Sequence, residues 1–295
     1  MKIDTHQHYW HYVAEDFPWI SAGMPALQKD CVPGDVLPAQ QAAGVDAVVA
    51  VQARSCADET DFLLGLAHTY PQIVGVVGWT DLCAPNVHEA LDRYAGQSLL
   101  KGFRHILQDE PALPAFLRNP DFSRGVKAVQ QRGLVYDVLV FDRQMSSVVD
   151  FCARHNGHWL VLDHVGKPCI RDWNIRSEVP SRWLASLRAL AAMPHVVCKL
   201  SGLVTEADWV GGNGLQSQDA KTMLECFDRA LEVFGPNRIL YGSDWPVCQL
   251  AAPYEAVHGL AQRWANTRLT AQEQNAFWSG NAQRCYDLKP SAALS

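Results

Sequence analysis

Lys2-Ile3-Asp4-Thr5-His6-Gln7-His8-Tyr9-Trp10 opens the chain as a short β-rich run and ends it in histidines and aromatics. A doubly wound open sheet would place a glycine-rich phosphate loop after this first strand. His-Gln-His-Tyr-Trp cradles no phosphate. Seven further β-rich runs follow, at 47–54, 73–80, 100–105, 134–140, 160–164, 196–203 and 239–244. Some are almost continuously apolar, as in Ala47-Val48-Val49-Ala50-Val51, which suits parallel strands buried on both faces.

Helix-length segments lie between these runs. Residues 121–132 are introduced by Pro120 and closed by Gly133, the asymmetry expected of a helix. Residues 142–155 carry Asp142 as a plausible N-cap and Asn156-Gly157 as a stop. Further helices are expected near 181–192, 220–234, 253–265 and 271–286, the last capped by Thr270 with Glu273 completing a capping box. Eight strands alternating with helices predict an α/β fold, a closed (β/α)8 TIM barrel forming one domain over 1–295. Two irregular stretches follow strands, 9–33 and 206–219, the second containing Gly211-Gly212-Asn213-Gly214. Both should lie over the barrel mouth as lids.

Composition narrows the function. Hydrophobic residues make up 48% of the 295 residues and charged residues 19%, so a large core needs no disulfide support. The net charge of -6 is dispersed, which argues against a nucleic-acid partner. The nine cysteines are odd in number, widely spaced and free of any C-x-x-C pair, as expected of reduced buried thiols. No apolar run approaches the length of a membrane span. The N-terminus shows no apolar leader, so a cytoplasmic location is expected.

The chemistry gathers at strand ends. Period-two alternation puts His6 and His8 on one face of the first strand, with Asp4 below them. The other strands end in Lys101-Gly102-Phe103-Arg104-His105, Tyr136-Asp137, Asp163-His164-Val165-Gly166-Lys167-Pro168, Lys199-Leu200-Ser201-Gly202 and Tyr241-Gly242-Ser243-Asp244-Trp245-Pro246. Ionisable groups at the ends of apolar strands are costly unless paired or used, and the C-terminal face is where barrel active sites are built. No G-x-S-x-G elbow or H-E-x-x-H occurs, and Cys248 has no local histidine partner.

H-x-H on the first strand, a histidine on the sixth and an aspartate on the eighth resemble the amidohydrolase superfamily. The motifs quoted above, with Asn281-Ala282-x-Arg284-x-Tyr286 near the C-terminus, are most similar to the sugar-lactone branch of its amidohydrolase-2 group. The resemblance implies hydrolysis of a sugar lactone, L-fuconolactone or a close aldonolactone, to the aldonic acid. It implies Asp244 as the base for water, with His6, His8 and His164 polarising the carbonyl and relaying protons. Arg104, Tyr136, Lys167 and Lys199 become candidates for orienting sugar hydroxyls or stabilising the oxyanion. Only Arg104 sits clearly on a strand end, whereas tryptophans near the mouth are plentiful: Trp10, Trp19, Trp79, Trp173 and Trp245. Trp79 and Trp245 are the expected faces for a neutral polyol ring.

His6, His8, His164 and Asp244 also form a reasonable set for Zn²⁺ or Mn²⁺. Yet the fifth strand ends in Tyr136-Asp137 rather than a bridging lysine or a histidine. The resemblance to the lactonase branch implies catalysis with no required cofactor. Two other readings stay open: a metal-dependent non-oxidative decarboxylase, and a non-catalytic sugar-binding barrel.

Overall fold

The computed structural model describes residues 1–209 and 214–289. Eight strands form one parallel sheet in sequence order: β1 (Ile3–Gln7), β2 (Ala47–Val51), β3 (Ile73–Gly78), β4 (Leu100–His105), β5 (Val135–Val138), β6 (Leu160–Leu162), β7 (Val196–Leu200) and β8 (Ile239–Tyr241). The sheet closes where Gln7 bridges Trp245. There the His8 amide donates to the Trp245 carbonyl at 2.7 Å and the Asp244 amide to that of His6 at 2.9 Å. The expected barrel is present, and every expected strand is found, several of them trimmed at the C-terminal end. Trimming has a cause: the polar residues that end each run leave the ladder to build the mouth.

Around the sheet run α1 (Pro33–Ala43), α2 (Glu59–Thr69), α3 (Val87–Asp92), α4 (Leu113–Phe116), α5 (Pro120–Gln131), α6 (Met145–Arg154), α7 (Glu178–Ala191), α8 (Ser217–Phe234), α9 (Tyr254–Arg268), α10 (Ala271–Asn275) and α11 (Asn281–Tyr286). None of α1 to α4 is among the helices expected from the sequence. Pro33 and Pro38 obscure α1, although Pro33 sits in its first turn, where proline is tolerated. The Thr270–Glu273 capping box forms as expected. The helix expected over 271–286 is instead interrupted by a π-turn at Ala276–Gly280. Asp142 does not cap α6. It begins a 3-10 turn, Asp142–Gln144, and its carboxylate receives Arg182 from α7.

Two apolar clusters hold the barrel. The larger lies between sheet and helices. The smaller fills the barrel's N-terminal half with Ile3, Val49, Val51, Val77, Val135, Val161, Val197 and Leu240, closed below by Tyr286 and Leu288. Each such fully buried aliphatic side chain contributes roughly 1.5–3 kcal/mol relative to exposure. The interior above this plug is polar. No described helix is long and apolar enough to cross a membrane.

Candidate active site

Four side chains converge at the C-terminal end of the barrel. His6 and His8 come from β1 and its extension, His164 from the turn after β6 and Asp244 from the turn after β8. His8 Nε2 lies 3.3 Å from Asp244 Oδ1, His6 Nε2 3.8 Å and His164 Nε2 3.9 Å. His6 Nε2 is 3.1 Å from His8 Nε2. Asp4 does not sit beneath the histidines. The β1–β2 register shifts between Asp4 and Gln7, and Asp4 instead accepts from the Ser243 amide, the Gln7 side chain and Tyr254 of α9.

The backbone is forced into place here. His164, Val165, Lys167 and Asp244 all have positive φ, at 54°, 54°, 47° and 61°. For a β-branched residue such as Val165 this is a real outlier, and such strain gathers at functional sites. Trp183 of α7 clamps the turn by donating Nε1–H to the Val165 carbonyl at 2.8 Å. Gly202 makes room for the His164 ring: a Cβ there would stand 2.3 Å from His164 Nδ1, and φ at Gly202 is +63°.

Burial and charge then set protonation. Burial drives His164 down to about 4, against the pull of Asp244 and Asp163. Burial likewise takes His6 well below the ordinary histidine value, opposed by Asp163. Both rings are neutral at neutral pH. Burial pushes the Asp244 carboxyl up, but His164, His8 and His6 outweigh it and hold the group well below the usual carboxylate range. Asp244 is therefore an anion facing neutral imidazoles.

Beneath His6 lies a buried ion network. Lys199 Nζ is 2.6 Å from Asp137 Oδ2 and 3.2 Å from Asp163 Oδ1. Arg104 donates to Asp163 Oδ2 at 3.0 Å and to the side chain and carbonyl of Gln52. Tyr286 donates to Asp137 from below. Lys199 is fully buried, so it lies below the mouth and does not reach a substrate-facing rim. Tyr136 also leaves the site. Alternation along β5 sends Asp137 inward and Tyr136 outward, against Phe122 of α5 and Phe151 of α6.

The cluster fits a divalent ion. His8 Nδ1 donates to the Val51 carbonyl at 2.8 Å, which leaves Nε2 as a lone-pair donor. His6 Nε2, His8 Nε2 and Asp244 Oδ1 form a triangle of 3.1, 3.3 and 3.8 Å edges. Ligands at zinc-like bond lengths around a tetrahedral centre stand about 3.3 Å apart. Asp163 Oδ1 is buried 3.2 Å from Lys199 Nζ and 3.4 Å from His6 Nδ1, and Lys199 Nζ is itself 3.2 Å from His6 Nδ1. Of the two groups facing His6 Nδ1, Asp163 would take a hydrogen from it and so leave Nε2 free to ligate, the usual carboxylate–histidine support of a metal site. His6, Asp163 and His164 form an overlapping second set of donors.

Above the cluster opens a cavity of about 520 Å³ lined by His8, His164, Asp244, Arg104, Lys167 and a wall of Trp19, Phe141, Arg171, Glu206 and Trp209. Trp79 and Trp245 are absent from this lining. Trp245 is buried against Tyr9, and Trp79 lends its backbone to Thr60. Trp10 packs on Phe17 and Trp19 inside the first lid, and Trp173 packs on Trp183. The sequence reading missed Trp209, Phe141 and Glu206. They sit in or beside irregular loops, where neither periodicity nor a motif marks them. The stretch 9–33 does cover the mouth, pinned by Trp19 Nε1 on the Ala53 carbonyl. Gly211-Gly212-Asn213 of the second lid lies outside the described residues.

The chain belongs to the amidohydrolase family: residues 3–288 match the family model of that description. It is 52% identical over 292 residues to an L-fucono-1,5-lactonase of Burkholderia multivorans, covering 99% of this chain and 98% of that one. An L-fucono-1,5-lactonase of Burkholderia ambifaria is 32% identical over 295 residues, covering 98% and 97%. A crystal structure of an amidohydrolase from Burkholderia multivorans with bound zinc superimposes with a TM-score of 0.94 at 52% identity, covering 98% of this chain and all of that one.

Proposed function

We propose that this protein hydrolyses L-fucono-1,5-lactone, or a close aldonolactone, to the aldonic acid. One observation carries the reading: an ionised aspartate faces three imidazoles on the floor of a substrate-sized cavity. A chain-length likeness to two L-fucono-1,5-lactonases supports it.

Asp244 is ionised at any working pH, and its carboxylate orients a water toward the lactone carbonyl and accepts the proton as the water attacks. A carboxylate with so low a pKa is a weak base, and His8 Nε2 beside it can share the proton. His164, neutral and on the cavity lining, faces the developing oxyanion and stabilises it by donating or by taking up charge, with the buried His6 ring behind it. The proton returns to the ring oxygen as the C–O bond breaks, so that the ring opens to a hydroxyl and a carboxylate. Lys167 and Arg171 on the wall favour the anionic product on its way out.

His6, His8 and Asp244 are the residues that would hold a divalent ion, with His164 adjoining. Such an ion would supply a more acidic water and a more polarised carbonyl. The expectation of a metal-free reaction gains no support from a cluster of this kind or from the zinc in the related crystal structure. We take zinc as the ion.

The decarboxylase reading needs a cationic clamp on a carboxylate. Arg104 is committed to Gln52 and Asp163 and Lys167 stands beside Glu206, so neither is an uncompensated cation for such a clamp. The test is acid release from a panel of aldonolactones. Turnover of L-fucono-1,5-lactone above its epimers is expected, and a chain that opens no lactone would refute the proposal.

A further inference from the structure

The lactonase reading leaves one partly buried charge on the cavity wall unused. Glu206 ends the 3-10 turn Leu203–Glu206 after β7. Its side chain is 12% exposed, and Lys167 Nζ stands 3.6 Å from Oε1, beyond hydrogen-bond range. Among the described residues it has no closer polar partner. A carboxylate can accept about four hydrogen bonds, and Lys167 takes up only part of that capacity. Burial raises the Glu206 pKa, although Lys167 and Arg171 pull it the other way. The carboxylate lines the cavity with acceptor capacity to spare for a bound ligand.

Local hydrogen bonds set its placement. Thr205 Oγ1 donates to the Gly202 carbonyl at 2.9 Å, and Trp209 Nε1 to the Thr205 carbonyl at 3.1 Å. Lys167 is fixed by its strained backbone and by its ammonium lying 4.9 Å over the Phe141 ring. The turn thus starts at the glycine that seats His164 and ends at a carboxylate on the wall.

We propose that Glu206, held beside Lys167, is a specificity-determining residue that accepts hydrogen bonds from hydroxyls of the sugar ring. This rests on the lactonase reading and deepens it. A pair of neighbouring ring hydroxyls supplies two donors, which matches the two oxygens of one carboxylate. Lys167 supplies the complementary donor for a hydroxyl or ring oxygen. The reacting carbonyl belongs over Asp244 on the floor, so the Glu206–Lys167 pair reads the hydroxylated part of the ring.

The test compares two lactones, L-fucono-1,5-lactone and δ-valerolactone, which has the same ring and no hydroxyls. Glu206→Gln keeps the shape and removes the charge. It should lower kcat/KM on the sugar lactone about 10- to 100-fold, the range for a charge-assisted hydrogen bond lost. That loss should exceed the loss on δ-valerolactone by tenfold or more. Equal losses on both substrates would mean a structural ion pair and would overturn the proposal. Lys167→Met gives the same comparison should Glu206→Gln fold poorly, and the two proteins' melting curves identify that case. A second readout is the binding of L-fucose as a non-reactive hydroxyl-bearing probe: Glu206→Gln should weaken it tenfold or more, and unchanged affinity would overturn the assignment. If the wild type opens neither lactone, the lactonase reading itself fails; turnover with equal losses removes only the role of Glu206.

Discussion

Replacing Lys199 with methionine tests whether the charge beneath His6 is structural. Lys199 Nζ lies 2.6 Å from Asp137 and 3.2 Å from Asp163, and all three groups are fully buried. At an effective dielectric of about 20 these contacts are worth roughly 6 and 5 kcal/mol. Desolvation of the ammonium offsets several kcal/mol of that. With Arg104 included, two cations balance two carboxylates, so removing Lys199 leaves one negative charge uncompensated. Breaking a buried pair from one side costs about 3–5 kcal/mol. The double variant Lys199→Met/Asp137→Asn restores neutrality and should recover most of the loss. Urea titration of the wild type, both single variants and the double variant gives the coupling energy directly. A Lys199→Met protein within 1 kcal/mol of the wild type would refute the network.

Four further outcomes follow from the site. Tyr136→Phe removes a buried hydroxyl that has no partner, so kcat/KM and stability should both stay near wild type; a large rise in KM would return Tyr136 to the substrate. Gly202→Ala places a methyl on the His164 ring at a positive φ, and should cost more than 2 kcal/mol or most of the activity, read by melting and by turnover. Stability should depend on acid. The folded pKa values of His164 and His258 lie near 4, lowered by burial in each case, and that of His6 is also depressed. The unfolded chain therefore binds more protons below about pH 6.5, so stability is full above that pH and falls toward pH 4, with about 3 kcal/mol from His164 alone; denaturation midpoints flat across this window would contradict the neutral-imidazole assignment. Protein loaded with zinc and dialysed should retain about one ion per chain by elemental analysis, and His8→Ala should lose it; equal retention by both would place the ion elsewhere.

The barrel was legible because its strands are apolar runs that alternate with helix-length segments, and no lid residue is needed to see that. His6, His8, His164 and Asp244 were legible because each ends such a run. Tyr136 and Lys199 show the limit. Position at a strand end does not say which way a side chain points, and β5 turns Asp137 inward while Tyr136 packs on α5 and α6. Asp4 was misplaced for a related reason, since a register shift inside β1 breaks strict alternation. Glu206, Trp209 and Phe141 carry no period or motif, and only the folded loops bring them to the cavity.

The central claim is that Asp244, set among three histidines, opens a sugar lactone. The most direct measurement is kcat/KM on L-fucono-1,5-lactone for wild type and Asp244→Asn, by pH-indicator detection of acid release, with far-ultraviolet circular dichroism to confirm the fold. The account predicts rapid turnover by the wild type and a loss of about a thousandfold or more in a folded Asp244→Asn variant. A folded variant that retains turnover within tenfold of wild type would contradict it.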